Sequence, residues 1–97
     1  MKVQFLDAAR SDLREAVRYY ESRQPGLGRS FRDEVKAVID RIAALPEAWH
    51  PLGENIRRCR THRFPYGVIY QIRGDEEILI VAIAHLHREP GTWTERI

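Results

Sequence analysis

Between Asn55 and Arg73 the chain carries Arg57, Arg58, Arg60, Arg63 and Arg73 and no carboxylate, a local charge of +5. Guanidinium groups present planar forks of N–H donors that match the oxygens of phosphates and carboxylates. So dense a set of like charges calls for an anionic complement, either phosphate or an acidic partner. His85, His87, Arg88 and Trp93 form a second set. Imidazole takes or gives a proton near neutral pH, whereas an indole stacks on a base but cannot transfer a proton. His85 and His87 would face one side if their strand ran on. They are not read as a metal site, because no third His, Cys or carboxylate follows at ligand spacing. Cys59, between Arg58 and Arg60, reads as a packed thiol, and no cofactor is expected.

The rest of the chain bounds what these residues can serve. Its 97 residues, with 16 Lys and Arg against 14 Asp and Glu and 43% hydrophobic content, suit one domain spanning 1–97 with a modest core. Dinucleotide folds and multi-domain enzymes are excluded by size. One cysteine rules out an internal disulfide framework and fits a reducing, cytoplasmic setting. The apolar run Ile78 to Ala84 is far shorter than the roughly 18 residues of a membrane helix. Asp7 and Arg10 stand where a signal peptide would be apolar, so neither export nor membrane association is expected. Residues 1 to 54 hold nine basic and nine acidic side chains, and residues 55 to 97 hold seven and five, so the whole net +2 lies in the second half. Of the 16 basic residues, 14 are arginine, which selects for forked contacts to oxyanions.

The elements that must position these groups follow from periodicity. Lys2 to Leu6 alternates as a half-buried strand, and Asp7 is placed to cap a helix in which Leu13, Ala16, Val17 and Tyr20 share a face. Pro25-Gly26 and Gly28 interrupt it. A second helix follows, with Phe31, Val35, Val38, Ile39, Ile42 and Leu45 in one stripe and Pro46 as its stop. Pro46 to Glu54 reads as a loop with Trp49 folded on the core. Ile56 to Phe64, Val68 to Arg73 and Glu77 to His85 then read as strands of an antiparallel meander, bent at Phe64-Pro65-Tyr66 and turned at Gly74-Asp75. The first strand joins as a fourth, since alone its backbone would go unpaired. The expectation is an α+β domain, β-α-α-β-β-β, with a helical hairpin on one face of an antiparallel sheet. The tail from His87 to Ile97 reads as a loop or short helix. Strict alternation places Arg58 and Arg60 on one sheet face.

Ala9, Leu13, Ala16, Tyr20 and Glu21, then Phe31 and Val35, Ile56-Arg57-Arg58, Arg63-Phe64-Pro65-Tyr66 with Tyr70, and His85-Leu86-His87-Arg88-Glu89-Pro90-Gly91-Thr92-Trp93 together resemble the RelE/ParE toxin superfamily. The resemblance covers nearly the whole chain and implies the fold just derived. It implies a toxin of a bacterial type II toxin-antitoxin, or plasmid stabilisation, module: growth-inhibitory when free and neutralised by a cognate antitoxin in a hetero-oligomer. ParE-like members inhibit DNA gyrase without a hydrolytic site, and RelE-like members are ribosome-dependent mRNA endoribonucleases. The ribonucleases typically carry an arginine straight after the residue opening a Y-x-x-x-Y strand; here Tyr66 and Tyr70 bracket Gly67 instead. Many also end with a proton-transferring tyrosine or histidine, where this chain has His87, Arg88 and Trp93. The resemblance therefore favours the gyrase-directed activity. If the chain is a ribonuclease, Arg58, Arg60, His87 and Arg88 are its candidate catalytic residues. For target or partner contact the candidates are Arg57, Arg58, Arg60, Arg63, His85, Arg88 and Trp93. A non-toxic nucleic-acid-binding module and a degenerate antitoxin-binding domain are the remaining alternatives.

Overall fold

The computed structural model describes residues 1–88 and 92–97. Strand β1 (Lys2–Phe5) leads into α1 (Asp7–Arg23) and α2 (Leu27–Ala44). Four strands follow, β2 (His50–Gly53), β3 (Ile56–Arg60), β4 (Tyr66–Arg73) and β5 (Glu77–His85), and a 3₁₀ turn spans Thr92–Arg96. They form one five-stranded sheet in the order β1-β5-β4-β3-β2. The fold is α+β, with one strand added to the expected topology and one pairing corrected. The segment read as a loop contributes β2, whose His50 and Pro51 pair antiparallel with Arg58 and Arg57. Strand β1 joins by lying parallel to β5, with Val3 opposite Ile78 and Phe5 opposite Ile80, so the sheet is mixed. The helical hairpin carries the chain to the far edge, and the successive antiparallel steps return it beside β1.

Asp7 does not cap α1. Leu6 holds the cap position, where its apolar side chain has no acceptor to offer, and its backbone N–H still donates to Ile80 O in the sheet, at 3.0 Å. Asp7 is instead the acidic residue of the first turn, where the helix dipole favours it. Gly26, at φ 89°, supplies the left-handed backbone that starts α2, and Gly28 lies inside that helix rather than in the turn. The cap comes from the preceding helix. The Glu21 carboxylate accepts hydrogen bonds from Gly26 N–H at 2.9 and 3.1 Å and from Gly28 N–H at 3.1 Å. Glu21→Ala is expected to lower stability by about 1 kcal/mol, the usual worth of such a cap, and urea unfolding with an unchanged midpoint would refute that role.

Phe31, Val35, Val38 and Ile42 are fully buried, as the stripe on α2 requires, but Leu45 is 62% exposed because the helix ends one residue before it. These side chains meet Cys59, Val68, Tyr70, Ile78 and Ile80 of the sheet, with Trp49 packed at the margin. At one end Tyr20, Phe31, Phe64 and Tyr66 form an aromatic cluster with centroids 4.7 to 6.1 Å apart. Strand β3 stops at Arg60 rather than Phe64. Thr61 Oγ1 donates to Phe64 O and Tyr66 O, and Glu34 of α2 accepts from the N–H groups of His62 and Arg63, so the loop backbone is satisfied without a ladder. A bulge at Val81 in β5 turns both Val81 and Ala82 toward the sheet's second face. Among the described residues, no helix is long and apolar enough to cross a membrane.

Candidate functional site

The arginine run does not form one basic surface. Alternation along β3 puts Arg57 and Cys59 on the helix side, where Arg57 Nη1 donates to Trp49 O at 2.8 Å. Arg58 and Arg60 lie on the other face. Arg63, in the β3–β4 loop, lies 3.9 Å from Glu34 with its own side chain 64% exposed, an ion pair of little energetic weight. Cys59 is buried, and desolvation raises its thiol pKa, which keeps it protonated and unreactive. Tyr70, also on the helix side, donates its hydroxyl to Pro46 O, and burial pushes its pKa up to about 12.

Arg58 opens onto a groove of about 730 Å³. Asp12, Glu15 and Tyr19 of α1 form one wall; Ile69, Tyr66, His85 and Arg88 line the rest, with Trp93 and Arg96 of the 3₁₀ turn. The position of Arg58 depends on Gly67, its diagonal neighbour on β4. A Cβ there would fall 2.9 Å from Arg58 Cγ and Cδ and 3.2 Å from Leu86 Cδ2, so the arginine stem lies across bare backbone. Gly67 thus lacks the side chain a ribonuclease clamp would have, and its bareness seats another guanidinium beside it. Arg58 Nε is shielded from solvent and has no acceptor.

At the end of β5, the His85 ring stands edge-on to Tyr66 at 5.1 Å and to His87 at 5.7 Å. His85 Nδ1 accepts from His87 N–H at 3.1 Å. Desolvation, assisted by the positive charge of Arg88 and by His87, lowers the His85 pKa below its ordinary 6.5. The ring is therefore neutral at pH 7, and its Nδ1 is engaged as an acceptor. The exposed Arg88 contributes charge at the groove's rim. Trp93 packs against the second-face apolar cluster of Ile56, Ile69, Leu79, Val81 and Ala82. Arg60 is exposed and lies outside the groove, so of the expected contact residues the structure gathers Arg58, His85, Arg88 and Trp93 and leaves out Arg57, Arg60 and Arg63. Glu89, Pro90 and Gly91 of the terminal motif lie outside the described residues. Among the described residues, no three His, Cys, Asp or Glu side chains come together as metal ligands would.

One pair that shapes the groove escaped the sequence reading. Where β1 ends, the outer edge of β5 loses its partner strand, and α1 and the C-terminal turn replace it. Ile83 N–H donates to Asp12 Oδ2 at 3.0 Å, and Arg96 Nη1 donates to Val81 O at 3.0 Å. Arg96 also grips Asp12 with both Nη atoms, at 2.6 and 3.0 Å. The bond to Asp12 raises the Arg96 pKa further. This bidentate clamp fixes the turn that carries Trp93. An 84-residue separation between two polar residues gives no local pattern, so only folding pairs them.

Comparisons with known proteins agree with this architecture. The family model described as "ParE toxin of type II toxin-antitoxin system, parDE" matches residues 3–90. Toxin ParE2 of two Mycobacterium tuberculosis strains, CDC 1551 / Oshkosh and ATCC 25618 / H37Rv, is 36% identical over 81 residues, covering 82% of this chain and 76% of the relative. A solved structure, "Chromosomal ParDE TA system from P. aeruginosa", superposes with a TM-score of 0.66 over 90% of this chain and 97% of its own, and at 16% identity it speaks to the fold alone. With the match spanning both helices and every strand, this chain belongs to the ParE toxin family of type II toxin-antitoxin systems.

Proposed function

We propose that this protein is a growth-inhibiting toxin that acts on DNA gyrase and is held inactive by a cognate antitoxin. The observation that carries the choice of target is Gly67. Cleavage of RNA through its own 2′-hydroxyl needs positive charge on the phosphate, a base and an acid. Gly67 offers no side chain at the expected clamp position, and the nearby Trp93, which cannot move a proton, packs its ring on the sheet. Inhibition by surface contact requires none of these groups. Arg58 and Arg88, with no carboxylate partner among the described residues, suit an acidic antitoxin segment, and His85 and Trp93 extend that contact.

Ribosome-dependent mRNA cleavage draws on one observation of its own, since Arg58 over Gly67 brings a guanidinium into the same groove as a neutral His85. The two are separated by incubating purified protein with gyrase in a supercoiling assay and mapping mRNA ends after brief induction. Loss of supercoiling with intact transcripts is expected, and cut transcripts with normal supercoiling would reverse the assignment. Growth arrest on induction, relieved by co-expressing a cognate antitoxin, tests the toxin role itself.

A further inference from the structure

A second depression, of about 400 Å³, lies where β2 begins. His50, the first residue of β2, pairs with Arg58, so the outer edge of β3 at Cys59 and Arg60 has no neighbouring strand. The gap is walled by Arg41 of α2, Trp49, His50, Arg58, Arg60 and His62. Every ionisable side chain around it except the Cys59 thiol is cationic or can become so, and no carboxylate lines it. The ion pairs among the described residues, Arg63–Glu34 and Arg96–Asp12, involve none of these groups.

A second observation points the same way. Three shielded side-chain atoms among the described residues lack a hydrogen-bond partner: Glu34 Oε2, Trp49 Nε1 and Arg58 Nε. The two donors both belong to residues that line this recess. Indole and guanidinium N–H groups only donate, so a ligand drawn to side chains of this wall is rich in acceptors. Lined by three arginines, the recess favours a negative charge on that ligand.

We propose that the recess at the start of β2 is an oxyanion-binding site, for a phosphate group or a carboxylate, held by Arg41, Arg60 and His62 with Trp49 in its wall. It is separate from the groove between α1 and the sheet, and Arg58, which lines both, forms the ridge between them. The assignment does not depend on the toxin's target.

The chain has two tryptophans, so its indole N–H signals give a direct test with an internal control. Phosphate, and separately acetate, is titrated into the ¹⁵N-labelled full chain at constant ionic strength set with sodium chloride. The Trp49 indole and the Cys59, Arg60 and His62 amides are expected to shift saturably with one shared affinity, and the Trp93 indole, in the other groove, to follow no part of that curve; Trp93→Phe assigns the two indoles. Saturation by phosphate alone identifies a phosphate site, and saturation by acetate alone a carboxylate site for an acidic side chain. Either result, or both, supports the proposal. The exposed double variant R60Q/H62Q should weaken binding about tenfold while leaving the rest of the spectrum in place, and R41Q should do the same. Shifts that never saturate, that spare the Trp49 indole, or that keep the same affinity in both variants would overturn it.

Discussion

Replacing Gly28 with alanine is expected to destabilise the protein by about 3 kcal/mol, although alanine is the better helix former. Alanine gains about 1 kcal/mol in intrinsic propensity over glycine in a helix. Against this, a Cβ on Gly28 would sit 2.5 Å from Val17 O and 3.0 Å from Glu21 Cβ. Val17 O belongs to the backbone of α1 and has no rotamer to change, so the two helices must part. Overpacking of this kind costs about 1–3 kcal/mol, and more where backbone must move. The new methyl also crowds Glu21 Oε1, at 3.1 Å, and so disturbs the cap on α2 for a further ~1 kcal/mol. The steric terms win. For a chain of this length, 3 kcal/mol corresponds to a fall in Tm of roughly 12–24 °C. Calorimetry is the measurement, and a Tm within a few degrees of the parent would show that the helices tolerate separation. Because α1 also supplies Asp12, Glu15 and Tyr19 to the groove, this glycine couples hairpin packing to the shape of the candidate site.

The second large effect is expected from Asp12→Ala, at about 3 kcal/mol. The substitution removes the acceptor for Ile83 N–H and for both Arg96 Nη atoms. The side chains are only 27% and 21% exposed, so water replaces the lost bonds incompletely. Losing a hydrogen bond to a charged group costs about 1.5–3 kcal/mol, and an unsatisfied strand-edge N–H adds to it. Arg96→Gln leaves the Ile83–Asp12 bond intact and should cost less in stability. Both variants release the C-terminal turn, so both should move Trp93 off Ile69 and Val81. Trp93 fluorescence, recorded in a Trp49→Phe background, should shift to longer wavelength in each. An unchanged spectrum in both would show that the clamp does not hold the turn, whatever happens to stability.

The larger elements are legible in the chain because their burial is periodic. The α2 stripe of Phe31, Val35, Val38 and Ile42 and the continuous apolar run of β5 each state which face is inside. Strand β2 is not legible, since four residues that include Pro51 and Gly53 carry a loop's composition. They become a strand only because β3 offers an edge to pair with. The parallel seat of β1 is hidden for a related reason, as alternation reports a strand's faces but not its neighbours. Within the site, alternation correctly sends Arg58 and Arg60 to one face, while counting Arg57 and Arg63 with them treats a charge run as a surface. Glu21 as a distant cap and Arg96 as the partner of Asp12 leave no local signature.

By itself, the sequence determined the α+β class, the helical hairpin, four of the five strands, the resemblance to RelE/ParE toxins and the excess of arginine in the second half. Those features follow from local periodicity, from turn chemistry and from motif order, all of which are written along the chain. Only the tertiary structure decided which arginines face a groove and which are occupied internally. It also decided that Gly67 is a seat for Arg58 and that Asp12 and Arg96 replace a missing strand at the edge of β5. The physical reason is that charge, donor count and side-chain size are properties of residues, whereas partnership depends on distance. Distance between residues far apart in sequence is fixed only when the core closes.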